Sequence, residues 1–217
     1  GSHGVIRGPV ITEKAGAGMD EGGTYAFAVD VRANKIEIRK AVEAAFAAYK
    51  GDATPMINSI TLEKEKIESL LGLVVDTGAN VVALAMSDAG MPCMAGQRED
   101  TAKQLIDMLA GAGVKPERIF LDPIIMPLST DANVGKYIFQ AISAIKQYCP
   151  ECHITCGLSN ISYGLPARKL INRVFLSLCM MAGLDSAIMD PLDEQIMAQL
   201  VAADALLGND EWCMNYI

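Results

Sequence analysis

From about residue 54 onward, short apolar runs alternate with longer segments whose apolar residues recur every three or four positions. The first pattern is that of a buried strand and the second that of an amphipathic helix. Residues 56–59 read as the end of a strand. The helix after them begins near Thr61, has Glu63 and Glu65 in its first turn, turns Ile67, Leu70, Leu71, Val74 and Val75 inward, and stops at Gly78. Residues 81–86 form a second apolar strand, and the helix over 97–110 closes at Gly111 and Gly113. A third strand over 118–121 leads to a helix over 135–148, with Ile138, Ala141, Ile142 and Ile145 on one face. A fourth over 153–158 precedes a helix over 166–183, and a fifth over 186–189 precedes one over 193–207. Ahead of these units, 25–29 reads as a strand, and 34 or 35 to 50 as a single helix.

Repeated strand–helix units without a hairpin signal predict a parallel sheet, as a doubly wound sheet or a (β/α)₈ barrel. Polar residues gather where each strand stops: Asn58-Ser59, Ser87-Asp88, Asp122-Pro123, Ser159-Asn160 and Asp190-Pro191. In a barrel such ends converge on one mouth, where active sites lie. A doubly wound sheet concentrates its ligand groups at one switch point, usually behind a glycine-rich turn. The chain has neither GxGxxG nor GxxxxGK, so the strand ends favour the barrel.

Composition narrows the class. The 217 residues are 51% hydrophobic and 20% charged, which excludes disordered and fibrous readings. The longest apolar stretch, 174–182, falls well short of the roughly 20 residues that a bilayer span needs. Six dispersed cysteines predict reduced thiols in a cytoplasmic protein rather than a disulfide scaffold. The net charge of −8 disfavours a general nucleic-acid binder. Residues 4–46 hold equal numbers of acidic and basic groups, so the whole deficit belongs to 47–217. Gly1-Ser2-His3 reads as a tag remnant over 1–3.

At the strand ends the chain resembles a known family. "PMINSITLEKEK", "VVALAMSDAGMP", "FLDPIIMPLSTD", "CGLSNISYGLPARKLINRVFL" and "GLDSAIMDPLD", in order over 47–217, resemble methyltetrahydrofolate:corrinoid methyltransferases. These are pterin-binding (β/α)₈ barrels related to dihydropteroate synthase. "VIRGPVITEKA" and "YAFAVDVRANKIEIRKAVEAAF" resemble the N-terminal part of a large-subunit ribosomal protein of the exit-tunnel rim. On these motifs the second resemblance covers about the first half of that small domain, without its basic loop. The expectation is an α/β, TIM-barrel-like parallel barrel, incomplete by roughly two units. A strand and helix from an unrelated α/β fold, over 4–46, would join it near Phe46-Ala47, as in a chimera.

The resemblance implies methyl transfer from the N5 nitrogen of methyltetrahydrofolate to the cobalt of a corrinoid protein. The cobalamin would arrive on that partner, and no bound metal is expected. N5 leaves poorly without a proton or strong hydrogen bond, and Asn160 matches the family position credited with donating it. Asn58 and Asp122 match pterin-binding positions, with Ser159 beside them. Each has a plainer reading: a turn for Asn160, a helix cap for Asn58 and a turn before proline for Asp122. Asp30 ends the strand ahead of "MINS", where the family has a further pterin-binding Asp, but its 28-residue spacing to Asn58 is about two helical turns too long. Tyr163 stands where the family can carry a polar amide.

Other features are secondary. The Cys149–His153 segment with Cys156 lacks a second ligand pair for zinc. Arg168, Lys169 and Arg173 could hold a folate tail or an acidic partner, or form a solvated helix face. The rival functional readings are a catalytically silent, truncated or chimeric barrel and, from the front segment alone, an RNA-binding protein. A homodimer would cover the edges that missing strands expose.

Overall fold

The computed structural model describes residues 6–9, 27–29, 35–48, 54–92 and 96–217. The tag remnant 1–3 and Asp30 lie outside the described residues. Two short strands, β1 (Ile6–Pro9) and β2 (Phe27–Val29), pair antiparallel in a sheet of their own. Of the strand predicted at 25–29, residues 27–29 are described and pair with β1 rather than with the parallel sheet, while 25 and 26 lie outside the described residues. The expectation that it precedes "MINS" as a barrel strand is corrected by that pairing. The helix α1 (Lys35–Ala48) follows as predicted, and its partly buried Val42 and Phe46 pack against the main core.

The parallel sheet consists of β3 (Met56–Ile60), β4 (Asn80–Leu84), β5 (Ile119–Asp122) and β6 (His153–Ile154). The helices α2 (Lys64–Thr77), α3 (Gln97–Gly111) and α4 (Val134–Tyr148) cross over between successive strands. Two more, α5 (Arg168–Ala182) and α6 (Glu194–Leu206), follow. Among the described residues, spatial order in this sheet equals chain order, β3-β4-β5-β6, without a switch point. Sequential parallel order is what a barrel segment shows and a doubly wound sheet does not.

Pairing register assigns the two faces of the sheet. Ile57, Val81 and Ile119 are aligned, as are Ala83 and Leu121, and all are buried in one core with the helices. Side chains alternate along a strand, so Asn58, Val82, Phe120 and His153, also aligned, share the opposite face. On that face the Phe120 and His153 rings stack with centroids 4.6 Å apart. Helix α4 shows the matching stripe: Val134, Ile138, Ala141, Ile142 and Ile145 are buried at helical spacing. Burial of each isoleucine there stabilises the fold by about 1.5–3 kcal/mol. Helix α2 stops at Gly78, whose φ of 67° is a left-handed conformation that glycine adopts without a Cβ penalty.

Three expectations change. Val75 is 39% exposed, and Leu73 with Val74 forms the buried pair of α2. The fourth strand is two residues long, because the chain turns into a 3₁₀ helix at Leu158–Ser162. The fifth strand is replaced by a single parallel bridge, Gly157 to Ile188. Its hydrogen bonds nevertheless remain: Ser186 and Ile188 donate to the Ile154 and Cys156 carbonyls, and Leu158 donates to Ile188.

Candidate functional site

The C-terminal strand ends are tied into one rim by the backbone. Leu62, after β3, donates to Met86 after β4, and Ala85 donates to the Asp122 carbonyl at the end of β5. Leu128 of the following loop donates to Ile161 in the 3₁₀ helix, at 2.9 Å, and Ser129 Oγ donates to the Tyr163 carbonyl. Asn58, Asp122 and Asn160 are thus carried on connected segments of the same end of the sheet. Asn58 is aligned with Val82, two positions before Leu84, the partner of Asp122. With two strand spacings across and two residues along, the two backbones lie about 12 Å apart. Side chains reaching inward from such positions can meet opposite parts of a bicyclic ring.

Asp122 is the chemically distinctive member. Burial raises its carboxyl to about 6 from the ordinary 3.8, against a lowering pull from the Ile124 N–H. That N–H donates to Oδ1 at 2.8 Å, and Ile124 itself has φ 58°, unusual for a β-branched residue. Arg98, 3% exposed in the first turn of α3, donates from Nε to the Pro123 carbonyl at 3.0 Å and the Ile124 carbonyl at 3.4 Å. Sequence reading passed over Arg98. The available signal was a lone basic group ahead of Glu99 and Asp100, where a helix N-terminus favours acids.

Asn58 and Asn160 are exposed. Asn160 lies in the 3₁₀ helix, its N–H bonded to the Gly157 carbonyl. Its amide packs so closely on Gly157 that a Cβ there would sit 3.1 Å from Nδ2. Ser159 offers its carbonyl to Arg168 Nη2 at 2.8 Å, and Arg168 Nε reaches Ser162 Oγ at 3.0 Å. Tyr163 is 66% exposed at the outer end of this turn.

The basic cluster has partners within the fold, although Arg168 and Lys169 stay exposed on the helix face. Arg168 braces the turn that carries Asn160. Arg173 pairs with Asp193 at 2.9 Å, and Lys169 approaches the same carboxylate at 3.5 Å. The expectation of reduced thiols is corrected at one pair: Cys149 and Cys152 form a disulfide with Cα atoms 5.5 Å apart. Their positions in the turn between α4 and β6 bring them together. Cys156 and Cys179 are buried and free, and burial holds both thiols well above their ordinary range.

Comparison with known proteins gives this geometry a context. Residues 28–190 match the family described as pterin binding enzyme, a match that begins upstream of the join expected at 46. Methylcorrinoid:tetrahydrofolate methyltransferase of Eubacterium limosum is 39% identical over 163 residues. That alignment takes in 74% of this chain and 60% of the relative, so the chain spans about three fifths of that protein's length. Large ribosomal subunit protein uL23 of Desulforudis audaxviator is 36% identical over 89 residues, covering 40% of this chain and 88% of that protein. This is longer than the half domain visible in the motifs, and it necessarily overlaps the pterin-binding match. A Yersinia pestis DHPS structure with a pterine-sulfa conjugate superimposes with a TM-score of 0.53 over 83% of this chain and 79% of its own, at 14% identity. That likeness supports an incomplete (β/α) barrel as the fold. With its sequential parallel strands and three quarters of its length matched, the chain belongs to the family of pterin-binding enzymes.

Proposed function

We propose that the rim binds a reduced folate through its pterin ring and serves methyl transfer between N5 of that folate and the cobalt of a corrinoid protein. The observation that carries this reading is the half-buried Asp122 carboxylate, whose one protein hydrogen bond among those described is from Ile124. A pterin presents adjacent ring N–H and amino donors, which a carboxylate accepts side by side. Asn58 supplies an amide for the remaining ring edge, and Ser159 and Tyr163 stand on the flank nearest Asn160. Asp30 is a further acceptor in this proposal.

In the direction from methyltetrahydrofolate to cobalt(I), the carbon–N5 bond breaks, its electron pair returns to N5, and a new carbon–cobalt bond forms from the metal's pair. N5 then takes a proton. Asn160 Nδ2 is the donor proposed to stabilise the charge developing on N5, and a donor already in place avoids reorganisation cost. The Eubacterium relative's name describes the reverse direction with the same bonds exchanged. The corrinoid protein is the proposed partner, docking over the mouth, and the join near 46 is proposed as the start of the methyltransferase-like part.

A second reading, a barrel that binds folate without turning it over, draws on β3 standing at the edge of the described parallel sheet. Calorimetric titration with methyltetrahydrofolate, beside an Asn58→Ala/Asp122→Ala double variant, tests the pocket. Binding lost in the variant supports it, and no binding by the parent overturns it. Methyl transfer to free cob(I)alamin separates the two readings: transfer supports the enzyme, and binding without transfer supports the silent barrel.

A further inference from the structure

Arg98 is the buried basic side chain among the described residues, and a buried guanidinium is tolerated only when acceptors meet it. Those acceptors include the carbonyls of Pro123 and Ile124, the two residues directly after Asp122. Ile124 holds a left-handed backbone that β-branched residues rarely adopt, and its N–H is the donor that orients Asp122 Oδ1. The three contacts form one chain, from the guanidinium to the Pro123 and Ile124 carbonyls and from the Ile124 N–H to the carboxylate. Without the guanidinium, nothing in that chain keeps Ile124 from relaxing to an ordinary extended conformation and turning its N–H away.

We propose that Arg98 is a positioning residue: by holding the 123–124 carbonyls it keeps Ile124 in its left-handed conformation and so fixes the orientation in which Asp122 meets a pterin. The inference rests on the proposed folate site for its purpose, though not for its geometry. Arg98 acts through the backbone and touches no reacting atom.

The test follows Asp122 directly, through its side-chain carboxyl signal in an NMR pH titration of the ligand-free protein. The Ile124 hydrogen bond favours the ionised form, so losing it moves the Asp122 midpoint upward. Cys156, the thiol whose charge would reach Asp122, is held neutral by burial. His153, two positions back along the same face, is followed separately through its ring protons.

Arg98→Met is expected to raise the midpoint by about 0.5 or more and to weaken methyltetrahydrofolate binding about 10-fold. Arg98→Lys, which keeps one donor, is expected to lie between Met and the parent. The double variant Arg98→Met/Ile124→Gly is expected to recover the parent midpoint, because glycine adopts the left-handed backbone unaided. A folded Arg98→Met with the parent midpoint, or a double variant no better than Arg98→Met, overturns the inference. Where Arg98→Met does not fold, Arg98→Lys decides: an unchanged midpoint overturns it. A shifted midpoint in a chain that binds no folate leaves the positioning role standing and removes the proposed function instead.

Discussion

At Asp122 two demands pull in opposite directions. Burial raises the folded carboxyl to about 6, above its value in the unfolded chain, so folding favours the protonated form. The resulting stability is complete below the unfolded value near 4 and is lost as pH rises through about 6. At pH 8 the ionised group costs roughly 3 kcal/mol, by the usual conversion of two pH units. Asp122→Asn keeps an oxygen for the Ile124 N–H and removes the charge. Urea denaturation is therefore expected to find it more stable than the parent by about 1–3 kcal/mol at pH 8, with the gain vanishing near pH 4. Methyltetrahydrofolate binding should weaken in the same protein, since an amide cannot accept from both pterin donors. Stability and binding moving oppositely mark a group retained for its ligand. Gly157→Ala probes the other side of the mouth. Its φ of −76° suits alanine, but the new Cβ would meet the Asn160 amide at 3.1 Å. Because Asn160 is exposed, its side chain can yield, so thermal stability should hardly change. Methyl transfer to cob(I)alamin is expected to fall between about 10- and 100-fold as the donor is displaced. The positions of the three rim residues were legible in sequence because polar groups at strand ends stand out from apolar runs, whereas the roles proposed for them come from the family resemblance. Arg98 was less so: a basic group in an otherwise acidic first turn is a weak signal, and nothing in a helical pattern announces which loop will bury it.

Between elements, the turn from α4 to β6 shows how local patterns succeed and fail. The four apolar positions predicted on α4 are all buried, because helical periodicity reports burial on one face directly. The strand after it was predicted four residues too long. Cys156 and Leu158 are buried like strand residues, yet Gly157 and the 3₁₀ turn take over as the chain bends to present Asn160. At the opposite end, Asp185 fastens β6 by accepting from the Ile154 N–H at 2.8 Å and from Lys146 Nζ at 2.7 Å, with His153 Nδ1 at 3.2 Å. Lys146 also reaches the Cys152 carbonyl at 2.6 Å, beside the Cys149–Cys152 disulfide. Ion pairs this exposed add little by themselves, so the bond to the strand amide dominates. Asp185→Ala is expected to cost about 1–3 kcal/mol in urea denaturation, and Asp185→Asn to recover most of it, since Asn retains the acceptor. Equal losses in both would show that charge, not the amide contact, matters there.

Over the whole molecule, two likenesses share one stretch of chain. The pterin-binding match starts at residue 28, and the uL23 alignment is too long to end before it. The structure gives the overlap physical form in α1, whose Val42 and Phe46 pack against the main core and whose Arg39 reaches Asp76 of α2 at 2.9 Å. Gly72 on α2 leaves room for it, since a Cβ there would stand 3.3 Å from Arg39 Nη1. Packing of this kind between distant segments has no local sequence signature, which is why the front strand was misassigned to the parallel sheet while the helix after it was correctly placed. Electrostatics distinguishes the functional consequences. Residues 4–46 carry no excess of basic groups, and 47–92 hold three basic against six acidic ones, so residues 4–92 are acidic on balance. Binding to a phosphate backbone draws its affinity from cations that displace counterions, and each lost contact flattens the salt dependence. Filter binding with structured RNA is accordingly expected to show no retention above background at about 150 mM salt. Retention that falls steeply between about 50 and 200 mM would instead show that the front segment has kept a nucleic-acid surface despite its charge.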